Sequence, residues 1–159
     1  MTIDAKYLPN QISQEQIVRY CRIVSEIEEL LENKESAEDK IAEFNLACGK
    51  AYTFRDFLRY HTAVDQEDFV REAFSPFPSK FRDIPDEQFI EIITAICNAE
   101  FAPAEHTYWL NFLSVNLECD VMSNLIYWNS EKDASPERIL EQAKAWQRQV
   151  IITPPPQVN

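Results

Sequence analysis

This chain of 159 residues contains a single glycine, Gly49. Glycine is the residue that enters positive φ freely, so its near absence removes whole classes of architecture. Two-residue β-hairpin turns need such residues, and a β-rich fold built on them is disfavoured. A Gly-rich phosphate loop, a dinucleotide fingerprint and a nucleophile elbow each need more than one glycine. No cofactor is expected. A helical chain is expected instead, and the hydrophobic periodicity agrees with it.

The stretch from Ser13 to about Asn33 predicts a helix. Ser13 and Gln16 form a capping box, and Ile17, Tyr20, Val24, Ile27 and Leu31 make one apolar stripe. A second helix is expected from Ser36, capped with Asp39. It should bury Ile41, Phe44 and Ala47 and stop at Gly49, the favoured residue past a helix end. The two read as an antiparallel hairpin. Thr53 with Asp56, and Asp65 with Asp68, start two short helices carrying Phe57-Leu58 and Phe69-Val70-Ala73-Phe74.

Ser75-Pro76-Phe77-Pro78-Ser79 then breaks the pattern, because proline restrains itself and the residue before it. A domain boundary is placed there, with Phe77 and Phe81 packing the joint down. A helix opening near Pro85 should bury Phe89, Ile92, Ile93 and Ile96. The next begins at Pro103, with Trp109, Leu110, Leu113 and Leu117 inward. A short segment runs from Ser123 to Trp128. The last helix has Ser135 as N-cap and Pro136 at its first position, and buries Ile139, Leu140, Ala143 and Trp146. Ile152-Thr153-Pro154-Pro155-Pro156 reads as an extended tail. The expected organisation is all-α: an N-terminal helical region at 1–79, a four-helix region at 80–151 and a tail at 152–159. Residues 80–159 are expected to fold alone.

There are 27 acidic and 15 basic residues, a net charge of −12. That disfavours direct nucleic-acid binding and suits a basic protein partner, since opposite fields speed encounter. Cys21, Cys48, Cys97 and Cys119 form no C-x-x-C pair and lie in or beside apolar helical patterns, so they read as reduced, buried thiols. The N-terminus lacks the apolar run of a signal peptide, and no stretch approaches a membrane span. A cytoplasmic protein is expected, without membrane contact. Its oligomeric state is not fixed by the sequence.

Candidate chemistry is sparse. His61 and His106, the only histidines, have no ligand partners at metal spacing, and no metal site is expected. Pairing Cys97 with His106 would assemble a nucleophile, but a buried structural thiol is inert. Paired acids such as Glu28-Glu29 fit the solvated side of a helix. Catalytic residues are not expected. Binding is better supported. In Leu125-Ile126-Tyr127-Trp128 two large aromatics are adjacent on a segment too short to be stable alone. Where Leu125 or Ile126 faces the core, part of the pair faces out, and Tyr and Trp dominate interface centres.

Two motifs carry a family resemblance. Asn124-Leu125-Ile126-Tyr127-Trp128-Asn129, then Ser135-Pro136-Glu137-Arg138-Ile139-Leu140 and Lys144-Ala145-Trp146, resemble the D-L-I-Y-Y-P and S-P-x-x-I-V-x-x-I-K-x-W-R pattern of colicin and pyocin immunity proteins. Phe89 to Glu100, FIEIITAICNAE, looks like the first helix of that family, whose end can read I-C-N-A-D. The resemblance covers about residues 84 to 149 and implies a four-helix bundle. It also implies stoichiometric inhibition of a bacterial toxin, most often a basic nuclease domain. By the same resemblance the partner-binding face comprises Asn124, Tyr127 and Trp128 on the short helix. Glu105, His106, Asn111, Ser114 and Glu118 on the helix before it would select the partner. The chain departs from the pattern at Asn124 in place of an acid, Trp128 in place of Tyr, Asn129 in place of Pro and Gln147 in place of Arg. The loss of Pro leaves that turn less fixed. The alternative reading is a non-catalytic helical adaptor with no toxin partner.

Overall fold

The computed structural model describes residues 2–152. It is all-helical, with eight α-helices, two single 3-10 turns and no strand among the described residues. The helices are α1 (Gln14–Glu32), α2 (Glu38–Cys48), α3 (Phe54–Arg59), α4 (Gln66–Ala73), α5 (Asp86–Cys97), α6 (Pro103–Leu117), α7 (Met122–Tyr127) and α8 (Pro136–Ile152). The tail expected at 152–159 lies outside the described residues apart from Ile152, which ends α8. Among the described residues no helix is long and apolar enough to cross a membrane.

The chain divides into two compact units. One holds residues 9–76 with 102–105; the other holds residues 2–8, 77–101 and 106–152. In the first, α1 packs against α2, α3 and α4. Ser13 accepts from the Gln16 amide while Gln16 accepts from the Ser13 amide, so the capping box forms. The core gathers Ile23, Val24, Ile27, Phe44, Phe57, Phe69, Val70 and Ala73. Phe44 is its centre and meets Phe57, Phe69, Phe74, Tyr20 and Tyr52. Asn45 fastens the α2–α3 connection, donating to the Tyr52 carbonyl and accepting from its amide, both at 2.9 Å. The second helix differs from expectation. It starts after Ala37 with no side-chain cap, buries only Phe44, and leaves Ala47 and Leu46 exposed. Three helices crowd α1, so α2 needs to bury only a narrow strip.

With one glycine, helix ends use other residues in the left-handed region. Lys34 follows α1 at φ 56°, Ala99 follows α5 at 55° and Glu118 follows α6 at 49°. Each is closed by a bond across the turn: Glu35 N–H to Leu30 O at 2.8 Å, Glu100 N–H to Ala95 O at 3.0 Å and Cys119 N–H to Ser114 O at 3.0 Å. Such closures satisfy the carbonyls a helix end would orphan, at the cost of a Cβ clash.

In the second unit α8 packs on α5 and α7. Phe89, Ile92, Ile93 and Ile96 of α5 join Trp109, Phe112, Leu113 and Leu117 of α6, Met122 of α7, and Ile139, Leu140 and Ala143 of α8. Two residues differ from expectation. Tyr108 is buried, whereas Leu110 is only partly so. The reason lies at the N-terminus. Tyr7 is 1% exposed and belongs to this core, against Phe81 at 5.0 Å and Phe112 at 5.5 Å between ring centroids. Tyr108 Oη donates to the Tyr7 carbonyl at 2.8 Å, and Asp4 N–H donates to Gln88 Oε1 at 2.7 Å. Residues 2–8 are thus a strap on this unit. Phe81 packs down as expected, but Phe77 is 74% exposed.

Candidate binding face

The short α7 has one turn and a half, and its faces differ sharply. Met122 is fully buried, and Leu125 and Ile126, three and four residues on, pack partly buried against the core. That spacing is one helical stripe. The opposite side carries exposed Asn124, Tyr127 at 47% and Trp128 at 81% exposure. Ile126 is therefore a flank of the seat, and Met122, just before the segment read from sequence, is its centre.

On α6, His106, Leu110, Asn111 and Ser114 are partly buried, whereas Tyr108, Trp109, Phe112, Leu113 and Leu117 are buried. His106 is partly buried and its Nε2 hydrogen-bonds the Tyr127 hydroxyl, which joins α6 to α7. The two rings lie 6.0 Å apart between centroids. Asn111 is partly exposed, and Ser114 donates back to the Leu110 carbonyl at 3.1 Å. Two of the acids named from sequence are engaged within the molecule. Glu105 accepts from the Ala102 amide at 3.4 Å, capping its own helix, and falls in the grouping of the first unit. Glu118 is paired with Lys80 and accepts from Gln147 at 2.7 Å. Lys80 first, then Gln147, hold its carboxyl below the usual range.

Cys97 corrects an expectation. It is exposed, Cys21 and Cys48 are partly buried, and Cys119 alone is buried. α5 ends at Cys97, where the stripe that buries Ile93 and Ile96 runs out. Desolvation still pushes its thiol up. Desolvation first and then the nearby Cys97 raise the Tyr127 phenol. No group of three or more His, Cys, Asp or Glu suited to a metal exists among the described residues.

The end of α7 holds what the sequence did not reveal. Asn129 donates from Nδ2 to the Leu125 carbonyl at 2.8 Å and to Gln142 Oε1 at 2.6 Å. Its Oδ1 accepts from the Glu131 amide at 2.9 Å and from Gln142 Nε2 at 3.3 Å. The turn expected to be loose is therefore fixed by a side chain. Arg138 adds 2.9 Å and 2.6 Å bonds to Glu131, closing the loop onto α8.

Residues 81–149 match the family model described as colicin immunity protein / pyocin immunity protein. The matched stretch runs from before α5 almost to the end of α8, in agreement with the resemblance carried by the two motifs. It leaves the strap and the first unit outside. No curated protein and no solved structure matches the chain.

Proposed function

We propose that this chain is a non-catalytic immunity protein that neutralises a bacterial toxin, a basic nuclease domain, by stoichiometric binding in the cytoplasm. The family match over residues 81–149 carries the reading. The exposed Trp128 supports the place of contact: a rigid ring left 81% in water on an ordered helix end supplies contact area at low entropic cost. Asn124, Tyr127 and Trp128 form the anchor. His106, Asn111 and Ser114 border it and adjust partner choice, while Glu105 and Glu118 contribute field rather than direct contact. A net charge of −12 over the whole chain favours encounter with a cationic partner.

The test is calorimetry with the nuclease domain encoded beside the gene, alongside melting curves. One-to-one binding is expected. Trp128→Ala should weaken it by about 2 kcal/mol or more, the scale of an interface hot spot. The melting temperature should hardly move. Normal binding by this variant, or no inhibition of the nuclease by the intact chain, sinks the reading and leaves an adaptor role without a toxin.

A further inference from the structure

We propose that Asn129 is a positioning residue that presets the α7 face, with Gln142 of α8 as its reciprocal partner. The inference rests on the reading of Tyr127 and Trp128 as the binding anchor. α7 is only six residues long, Met122–Tyr127, and a helix of that length has no stability of its own. Its last turn must be held from outside. The Asn129 carboxamide does this with all of its capacity. Two N–H groups donate, to Leu125 O and Gln142 Oε1, and one oxygen accepts twice, from Glu131 N–H and Gln142 Nε2. That is the complete inventory of an amide side chain.

Each bond fixes a different element. The bond to Leu125 closes a carbonyl orphaned at the end of α7, and the one to Glu131 sets the course of the loop. The pair with Gln142 ties both to α8, a long helix rooted in the core by Ile139, Leu140 and Ala143. Trp128 sits directly before Asn129, its amide closing α7 on the Asn124 carbonyl at 2.8 Å. The exposed indole is thereby delivered from an anchored backbone although its ring has little packing of its own. A preset anchor binds without a further ordering cost, so its loss appears mainly as faster dissociation. His106 is a separate fastening: it holds the Tyr127 hydroxyl and does not reach the turn.

The hydrogen-bond pattern makes a graded prediction on the full chain. Asn129→Asp keeps the shape and the acceptor for Glu131 but loses both donors. Gln142→Glu keeps the acceptor of the 2.6 Å bond and loses only the donor of the 3.3 Å one. Amide hydrogen exchange by NMR should show Trp128 N–H exchanging about tenfold faster or more in Asn129→Asp, which loses two donated hydrogen bonds. Gln142→Glu should change it by less than about threefold and Gln142→Ala by more than Gln142→Glu. His106→Ala should change it less than Asn129→Asp does, since it frees the Tyr127 hydroxyl and not the turn. Should Asn129→Asp fail to fold, the Gln142 pair decides alone.

Dissociation from the nuclease domain should quicken in parallel in Asn129→Asp. Trp128 exchange within about twofold of the parent in both Asn129→Asp and Gln142→Ala overturns the proposal. The two readings separate cleanly. Faster exchange in Asn129→Asp with normal binding by Trp128→Ala keeps the lock and removes the binding face. Weak binding by Trp128→Ala with unchanged exchange and dissociation in Asn129→Asp keeps the face and removes the lock.

Discussion

At the scale of single residues, burial within α7 changes over four positions, one helical turn. Met122 seats the helix at 0% exposure, whereas Ile126 only flanks the core. Met122→Ala should cost about 2–5 kcal/mol as a core truncation. Ile126→Ala should cost less, about 1 kcal/mol. Denaturant unfolding of the two variants checks this, and the opposite ranking would move the seat to Ile126. A second residue-scale expectation concerns alkaline pH. Desolvation, then Glu72, push the Tyr52 phenol from 10.0 to about 12. A raised folded-state value means that the contribution of Tyr52 to stability is fully present below pH 10 and is lost as pH rises toward 12. Alkaline titration followed by circular dichroism should show that loss, and Tyr52→Phe should reduce it. The sequence led to the expectation that part of the Tyr127-Trp128 pair turns outward where Leu125 or Ile126 faces the core, and on this short helix both rings are exposed. The exposure of Cys97 was not legible there, because it depends on where the stripe of α5 stops.

At the scale of elements, the sequence marked helix starts better than helix ends. Ser13, Thr53, Asp65 and Ser135 all precede helices, and their side chains bond the first turns as their chemistry requires. Ends lacked a signal because Lys34, Ala99 and Glu118 take the left-handed position where glycine is usual. Ala99 has the simplest side chain of the three. Ala99→Gly should stabilise the protein by about 0.5–1 kcal/mol, the strain relieved less the extra freedom of the unfolded chain. Thermal unfolding checks it; a destabilised variant would mean that the Ala99 Cβ makes contacts outweighing the strain. Gly49 is the converse case. A Cβ there meets nothing within 4 Å, so any cost of substitution is conformational.

At the scale of the molecule, residues 2–8 belong with the far end of the chain. The region drawn at 1–79 therefore loses its strap to the four-helix unit, and the fragment 80–159 would lack a core residue. Tyr7→Ala in the full chain should cost about 3–5 kcal/mol, a large share of the 5–15 kcal/mol typical of a domain. Tyr7→Phe should be neutral or stabilising. The Tyr7 hydroxyl is buried with no hydrogen-bond partner among the described residues, so only the ring and the backbone are used. Chemical denaturation of both variants is the measurement, and a mild Tyr7→Ala effect would restore 80–159 as a self-sufficient unit. Residues 9–76 then form an insertion between strap and bundle.

By itself the sequence determined the helical class, the order of the helices, the net acidic charge and the expectation that part of the Tyr127-Trp128 pair leaves the core. These follow from local causes: missing glycine, caps, periodicity of 3.6 and adjacency. Only the tertiary structure decided that Tyr7 packs against both Phe81 and Phe112, that His106 reaches Tyr127, and that Glu118 is engaged with Lys80 and Gln147. It also turned Asn129, which the sequence marked only as a missing proline, into the fastening of α7 through a residue thirteen positions away. Such contacts join segments with no shared period. A sequence shows which side chains can donate or pack, and the folded chain alone shows which of them meet.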